Sequence, residues 1–262
     1  MAAMAIIHHW NPDDLGFWND AGRSVARRNL WLSVPALALS FAVWMLWSVV
    51  VVHLPAAGFR YSANQLFWLT ALPALSGGTL RIVYALGVPL LGGRQFTTLA
   101  TASLLVPAIG IGLAVQDPNT PYEWMVVLAL LCGLGGGNFA SSMANISFFF
   151  PSASKAHALD LNAGLGHLGV AMVQWLVPLV IGVGLFGALG GAAQPTAHGL
   201  MWLQNAGFVW VPLVLVCTAA AWFGMDDLAH MHAGFAQQAV VFTRKNNWLM
   251  CWLYLGTFGS FI

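Results

Sequence analysis

A single arginine lies inside an otherwise uncharged apolar stretch of this sequence. Arg81 falls within residues 66–91, a segment predicted to span a membrane. Burying an arginine at the centre of a bilayer costs at least about 2.5 kcal/mol, and the predicted spans offer no acidic residue as its partner. The guanidinium group is planar and donates two parallel hydrogen bonds, so it suits a small planar oxyanion. The sequence therefore predicts an anion site at Arg81, and the alternative is a structural arginine held by backbone carbonyl groups.

Small and polar residues form a stripe on the predicted span Tyr122–Phe149. Four of them recur every fourth residue and therefore share one helix face: Gly133, Gly137, Ser141 and Asn145. Asn138 and Ser142 form a second polar pair beside that face. Small residues allow another helix to pack closely, whereas polar groups at membrane depth must pair or line a cavity. The stripe is either a helix–helix seam or a substrate path, and the number of polar groups favours a path.

The composition indicates that membrane spans position these residues. Hydrophobic residues make up 59% of the chain and charged residues only 6%, whereas soluble domains carry about 25% charged residues. The net charge of +1 gives no indication of nucleic-acid binding. The 3 cysteines stand singly in apolar runs, without the Cys and His spacing of a metal site or disulfide framework. We expect an all-α membrane protein with no metal and no cofactor.

Six stretches are long and apolar enough to cross a bilayer, which takes about 20 residues. They cover approximately residues 30–54, 66–91, 97–115, 122–149, 158–189 and 203–223. A seventh begins near residue 248 and is cut off at residue 262. The predicted domains are a cytoplasmic N-terminal segment (1–29) with a short surface helix (12–25), a six-helix unit (30–224), a cytoplasmic linker (225–247) and a truncated seventh helix (248–262).

Basic residues in the loops set the expected orientation. Only Arg60 falls on one side of the membrane under the alternation of these spans. The other side carries Arg23, Arg27, Arg28, Arg94, Lys155, Arg244 and Lys245. Because excess lysine and arginine marks the cytoplasmic side, the N-terminus is expected to be cytoplasmic.

Several motifs together resemble the nitrate/nitrite porter family of the major facilitator superfamily. The longest is GGGNFASSMANISFFFP at residues 135–151. Shorter matches are RNLWLSVP at 28–35, FWLTALP at 67–73, AWFGM at 221–225 and YLGTFGSF at 254–261. The resemblance covers nearly the whole chain. It implies a transporter of nitrate and nitrite in the cell inner membrane, in contact with lipid, and not an enzyme.

Members of that family have about twelve spans, arranged as two six-helix halves that rock against each other. The resemblance therefore implies that this chain is the N-terminal half with the start of a seventh helix, and that it requires a C-terminal half as partner. The loop at residues 87–94 stands where the superfamily carries an inter-helix motif. The usual acidic residue is missing from it, so gating contacts are not implied there.

The resemblance also implies a set of substrate-binding residues. Arg81 matches the family's anion-binding arginine, and Gly136 matches a position where the helix backbone approaches the substrate. Aromatic residues at four matching positions line the nitrate: Phe41, Phe139, Tyr254 and Phe258. Rings shape a narrow slot around a small flat anion, and the tyrosine hydroxyl can donate a hydrogen bond to it.

Residues 158–169, ALDLNAGLGHLG, resemble the family's glycine-rich signature. By that resemblance Asn162, Gly164, Gly166 and His167 belong to the substrate site. Two residues depart from the pattern, since Ala163 stands where glycine is usual and His167 where asparagine is usual. Histidine can titrate near neutral pH, so this substitution puts ligand geometry and proton coupling in question. The alternative is a neutral histidine that replaces an amide hydrogen bond.

The coupling mechanism is predicted from the acidic residues that the spans lack. Proton symporters usually need a titratable acid near the site, and Asp160 lies only at the start of the fifth span. Nitrate/nitrite exchange is therefore favoured over proton-coupled nitrate symport. A transporter of another small anion and an inactive fragment stay open. So does a haem-holding electron-transfer subunit, for which His53 and His167 are the only candidate ligands in the spans.

Overall fold

The computed structural model describes residues 6–197, 199–229, 243–246, 248–250 and 252–253. Six helices in these residues are long and apolar enough to cross a membrane. In chain order, these spans are Leu15–His53, Ala63–Leu91, Gly93–Ala114, Tyr122–Phe149, Ser152–Val180 and Asn205–Gly224. The predicted all-α membrane fold is confirmed.

Prolines account for two of the local breaks in the spans. The third span consists of Gly93–Ser103 and Leu105–Ala114, and the sixth of Asn205–Phe208 and Trp210–Gly224. A proline has no N–H group to bond the carbonyl four residues before it. Pro107 and Pro212 therefore leave the last carbonyl of each first segment without its helical donor.

The first span begins earlier than the sequence predicts. It is helical from Leu15, so the predicted surface helix at residues 12–25 continues into the span. Asp14 caps this start, because its side chain accepts a 2.8 Å hydrogen bond from the Gly16 N–H. The span then proceeds through Leu15–Phe17, a π-helical turn at Trp18–Gly22, and the α-helices Arg23–Trp44 and Leu46–His53.

The fifth span ends earlier than predicted, at Val180 instead of near residue 189. Five glycines between residues 182 and 191 explain this end, because glycine is about 1 kcal/mol less favourable than alanine in a helix. A short 3₁₀ turn follows at Gly187–Gly190.

In the described part of the chain, four short strands lie outside the spans. They are β1 (Ile6–Ile7), β2 (Gln194–Thr196), β3 (Gly199–Met201) and β4 (Asp227–Leu228). Strands β2 and β3 form an antiparallel hairpin. Strand β1 pairs in parallel with β4, Ile6 opposite Asp227, and so joins the N-terminal segment to the end of the sixth span. We call this side of the molecule the N-terminal end.

Hydrogen bonds between loops mark the two ends of the bundle. At the N-terminal end, the Asp13 carboxylate accepts a 2.8 Å hydrogen bond from the Ser152 N–H, where the fifth span begins. At the opposite end, the Tyr61 hydroxyl donates a 2.7 Å hydrogen bond to the Thr120 carbonyl. Consecutive spans therefore run in opposite directions between these ends.

The apolar core is divided into layers along the bundle. A large cluster fills the half near the opposite end and includes Trp47, Leu104, Met125, Val177 and Trp210. A second cluster at the N-terminal end includes Leu30, Val88, Ile146, Phe149 and Leu228. Between them lies a third, small cluster of Leu37, Phe41 and Trp44, against which Phe139 and Val170 pack. Because most of its members are aromatic, we call it the aromatic layer. This layer contacts Arg81 and holds part of the predicted site.

Part of the polar stripe of the fourth span is a seam between helices. Asn138 donates a 2.7 Å hydrogen bond to the hydroxyl of Ser40 on the first span. The Ser142 hydroxyl lies 2.8 Å from that of Ser33 and accepts a 2.9 Å hydrogen bond from Asn162 on the fifth span. All five side chains are buried. At Asn138 and Ser142 the stripe is therefore a helix–helix seam, because these groups bond to one another between helices. Asn145 is also buried, but its side-chain amide has no hydrogen-bond partner among the described residues, and a substrate path along the rest of the stripe stays a prediction.

Candidate functional site

Arg81 lies half-buried in the second span, against the fourth. Its Nε–H donates a 3.2 Å hydrogen bond to the carbonyl oxygen of Gly136. The guanidinium carbon lies 5.5 Å from the ring centroid of Trp44 and 5.2 Å from that of Phe139. A cation over an aromatic face gains about 0.5–2 kcal/mol, depending on its exposure. A carbonyl and two ring faces thus hold this arginine where the first, second and fourth spans meet.

Two glycines bring the second and fourth spans together beside Arg81. A Cβ atom on Gly136 would lie 2.9 Å from the Cα atom of Gly77 and 2.7 Å from the Trp44 ring. A Cβ atom on Gly77 would lie 2.7 Å from the Trp44 indole nitrogen. Only glycine fits at either position without displacing the ring. The close helix contact therefore sets the position from which the Gly136 carbonyl reaches Arg81.

An aromatic cluster surrounds the arginine. The Phe41 ring is buried, with its centroid 5.7 Å from that of Trp44 and 6.0 Å from that of Phe139. The centroid of the His167 ring lies 4.4 Å from that of Phe41. The Trp44 indole donates a 2.7 Å hydrogen bond to the Pro73 carbonyl, which fixes the ring plane facing the guanidinium. Three spans thus supply rings to one layer.

His167 makes two contacts here, one through its ring and one through a ring nitrogen. Its ring stacks on Phe41 with an interplanar angle of 29°. Its Nδ1 atom lies 2.6 Å from the carbonyl oxygen of Ala163. Because a carbonyl only accepts, the geometry assigns the hydrogen to Nδ1, and Nε2 is the acceptor nitrogen of the neutral ring.

A cavity of about 500 Å³ opens beside the rings. Its walls include Phe41, Trp44 and His167 from the cluster, together with Ser48, Phe67 and Thr70. Trp44 therefore contacts both the cavity and the guanidinium of Arg81. Mostly apolar walls with a few polar groups are typical of small-molecule sites.

The structure brings together five predicted site residues: Arg81, Phe41, Gly136, Phe139 and His167. Their contact with a substrate stays a prediction. Within the described ranges, no group of three His, Cys, Asp or Glu side chains is placed to hold a metal ion.

The other predicted residues do not join this cluster. Asn162 belongs to the seam, and a Cβ atom on Gly166 would lie 2.7 Å from the Leu37 side chain. Gly164 is exposed, and apart from its chain neighbours and its own helix backbone no described heavy atom lies within 4 Å of the place its Cβ would occupy. Tyr254 and Phe258 lie outside the described residues.

Sequence reasoning missed Trp44, which touches Arg81 more directly than Phe41 does. The chain has 13 tryptophans, and composition distinguishes none of them. A usable signal was the spacing of three residues between Phe41 and Trp44, which puts both on one helix face.

Sequence reasoning also missed an ion pair at the N-terminal end. The backbone N–H of Arg94 donates a 2.7 Å hydrogen bond to Asp227 Oδ1. The guanidinium Nε atom of Arg94 lies 3.4 Å from Asp227 Oδ2. The loop at 87–94 lacks an acid of its own, and Asp227 at the end of the sixth span supplies one. The adjacent Asp226 accepts hydrogen bonds from Arg28 at 2.6 Å and Asn29 at 2.8 Å.

Comparison with known proteins finds relatives over nearly the whole chain. It is 51% identical over 258 residues to the nitrate/nitrite transporter NarU of Escherichia coli, a match that covers 98% of the chain and 56% of the relative. It is 45% identical over 260 residues to the probable nitrate/nitrite antiporter NarK2 of Thermus thermophilus, with 97% of the chain and 58% of the relative covered. The chain thus spans about half the length of the curated relatives it matches. No protein-family model matches it.

Proposed function

Because the chain belongs to the nitrate/nitrite porter family of the major facilitator superfamily, we propose that it binds nitrate and nitrite at Arg81 and takes part in exchanging them across the membrane. The observation that carries this proposal is the position of the Arg81 guanidinium between two ring faces inside a membrane span. The protein acts as a transporter and not as an enzyme.

The chemistry of the site suits a small flat anion. A guanidinium in a low-dielectric layer attracts an anion strongly and can donate two parallel hydrogen bonds to its oxygens. The rings of Trp44, Phe41 and Phe139 restrict the space around it, which favours a planar ligand over a tetrahedral one. Tyr254 and Phe258 complete this slot in the proposal, and the tyrosine hydroxyl donates a further hydrogen bond.

Transport requires a second six-helix bundle in this proposal. The relatives are longer than the matched region, and their remaining length is enough for such a bundle. The second and fifth spans bury much less of their surface within the described residues than the first and fourth do. Their exposed apolar side chains include Phe67, Ile82 and Trp175. A second bundle packed on these faces would enclose the Arg81 layer, and rocking of the two bundles would alternate access to it.

The protein is a multi-pass membrane protein, and we place it in the cell inner membrane with the N-terminus in the cytoplasm. Arg23, Arg27, Arg94 and Lys155 lie on segments at the N-terminal end of the bundle, whereas Arg60 lies in the loop at the opposite end. This asymmetry supports the orientation, since basic loops stay on the cytoplasmic side.

Exchange and proton symport make different demands on His167. Exchange needs no proton, and one relative is named a probable nitrate/nitrite antiporter. We therefore expect an exchange rate that is nearly independent of pH between about pH 6 and 8. A rate that changes strongly over this range in the unmodified protein, and loses that dependence in His167→Asn, would make His167 a proton-coupling group and contradict exchange.

The experiment that tests the function uses the chain joined to the C-terminal remainder of Escherichia coli NarU and reconstituted into liposomes. Nitrate uptake is measured into vesicles loaded with nitrite and into vesicles without it. Exchange predicts uptake only when nitrite is inside, with or without an inward proton gradient. Uptake into nitrite-free vesicles under a proton gradient would favour symport. Folded protein that moves neither anion under any condition would contradict the proposed substrates.

A further inference from the structure

A groove of about 520 Å³ opens at the N-terminal end of the bundle, apart from the Arg81 site. It lies between the beginning of the first span and the beginning of the fifth, and it shares no lining residue with the cavity beside Trp44. Its polar wall is formed by Arg23, Arg27, Ser154 and His157. The proposed transport mechanism uses none of these residues.

The polar wall offers several donors to a single anion. Arg23 and Arg27 are one helical turn apart on the same face, and the described part of the chain places no carboxylate within 4 Å of either. Their neighbour Arg28, in contrast, is paired with Asp226 at 2.6 Å. The Ser154 hydroxyl is buried, and no hydrogen-bond partner for it lies among the described residues. Two guanidinium groups and a hydroxyl are the donors that a phosphate group prefers.

The groove changes from polar to apolar along both of its helical walls. On the first span, Arg27 is followed one turn deeper by Leu30 and Trp31. On the fifth span, Ser154 is followed two turns deeper by Leu161. Both helices run away from the N-terminal end, so the two gradients point in the same direction, into the membrane. A free anion would use only the polar mouth, whereas a groove with an apolar continuation suits a molecule with a charged head and an acyl chain.

Two tryptophans line the groove on either side of the arginines along the first span, Trp18 before Arg23 and Trp31 after Arg27. Trp18 packs against Phe150 with ring centroids 5.8 Å apart, and Trp31 is 56% exposed at the outer edge of the groove. Tryptophan is enriched where lipid headgroups meet the hydrocarbon layer. The groove mouth is therefore at headgroup depth when the six spans cross a bilayer.

We propose that this groove is a binding site for an anionic phospholipid of the surrounding leaflet. The phosphate lies between Arg23, Arg27 and the Ser154 hydroxyl, and an acyl chain follows Leu30, Trp31 and Leu161. The bound lipid bridges the first and fifth spans at the N-terminal end and stabilises their contact. This inference does not depend on which anion the protein transports.

The test compares ligands that share parts of this chemistry. The chain is purified in dodecyl maltoside, and its thermal unfolding and native mass spectrum are recorded with dioleoylphosphatidylglycerol, with dioleoylphosphatidylcholine, and with glycerol 3-phosphate. The proposal predicts that phosphatidylglycerol stays bound and raises the unfolding temperature, while the other two have little effect. Equal stabilisation by phosphatidylcholine would contradict recognition of the lipid's negative charge. Equal stabilisation by glycerol 3-phosphate would show that the groove binds a free phosphate group and not a lipid.

Matched variants separate the groove from general surface charge. Arg23→Gln with Arg27→Gln should weaken phosphatidylglycerol binding by about fivefold for each arginine removed. Lys155→Gln removes the same charge from the same end but outside the groove, and it should change the affinity much less. A loss in Lys155→Gln as large as that of one arginine would overturn the proposal. If the glutamine double variant does not fold, the double variant Arg23→Lys with Arg27→Lys takes its place. It keeps the charge but lacks the guanidinium geometry, so the proposal predicts that it still loses affinity for phosphatidylglycerol.

Discussion

Asp227 and Arg94 form a buried ion pair, and the substitution Asp227→Asn would leave the arginine there without its counter-charge. The Asp227 side chain is 3% exposed and that of Arg94 is 8% exposed. The asparagine Oδ1 can still accept the hydrogen bond from the Arg94 N–H, because the two side chains have nearly the same shape. The substitution therefore removes the charge and preserves most of the packing.

The magnitude of the effect follows from this burial. Removing one partner of a buried ion pair costs about 3–5 kcal/mol, since it strands the other charge in a poorly solvated place. The 3.4 Å separation of Arg94 Nε and Asp227 Oδ2 is longer than a strong charged hydrogen bond, so we expect the lower end, about 3 kcal/mol. At roughly 2–4 °C per kcal/mol for a chain of this size, the unfolding temperature should fall by about 6–12 °C.

The assay is thermal unfolding of the purified chain in dodecyl maltoside, with Asp226→Asn as the matched control. Asp226 is paired with Arg28, whose side chain is 45% exposed and can be solvated by water. The Asp226 side chain is only 12% exposed, but the arginine that loses its partner stays in contact with water. A pair with a solvated cation contributes about 0–1 kcal/mol, so the control should shift by a third of the Asp227 effect or less.

Two results would refute this reasoning. One is an unfolding temperature for Asp227→Asn within about 2 °C of the unmodified chain, since about 3 kcal/mol predicts a larger fall. The other is an equal or larger fall in the Asp226→Asn control. The double variant Arg94→Met with Asp227→Asn removes both charges and keeps an acceptor for the Arg94 backbone N–H, and it should recover most of the stability if the stranded cation is the cause.

Further predictions concern tight packing and pH. Gly136→Ala should destabilise the bundle by about 1–3 kcal/mol and reduce transport, because its Cβ would lie 2.7 Å from the Trp44 ring; thermal unfolding and the liposome assay measure both. Gly164→Ala, with open space at its Cβ, should unfold at the same temperature or slightly higher, and a large fall would contradict this placement. Burial and the nearby Glu123 carboxylate raise the pKa of Tyr61. The unfolded chain therefore ionises this group first, and stability should fall as pH rises above about 10, less steeply in Tyr61→Phe.

The sequence predicts those parts of the molecule that depend on local composition. Apolar stretches of sufficient length give the six spans, and an arginine within one of them identifies the site layer. The early end of the fifth span was also readable in principle, because glycines fill the segment after Val180. The boundary was missed because the segment is apolar, and hydropathy alone does not penalise glycine.

Features that depend on partners distant in the chain could not be predicted in the same way. Asn138 and Ser142 become a seam only because Ser40 and Asn162 face them from other spans. The polar stripe has the same sequence whether it lines a path or bonds to a neighbour. The Asp227 carboxylate likewise gains its role from Arg94. The two residues are far apart in the chain, and no local sequence pattern connects them.

The central claim is that the Arg81 guanidinium binds the transported anion, and nitrate/nitrite exchange by matched arginine variants tests it most directly. Arg81→Lys keeps the positive charge but loses the planar pair of donors, whereas Arg60→Lys makes the same change in the loop at the opposite end. Exchange is measured in nitrite-loaded liposomes with the chain joined to the C-terminal part of Escherichia coli NarU. We predict that Arg81→Lys abolishes nitrate uptake while Arg60→Lys retains it. Full exchange by a folded Arg81→Lys protein would contradict the account.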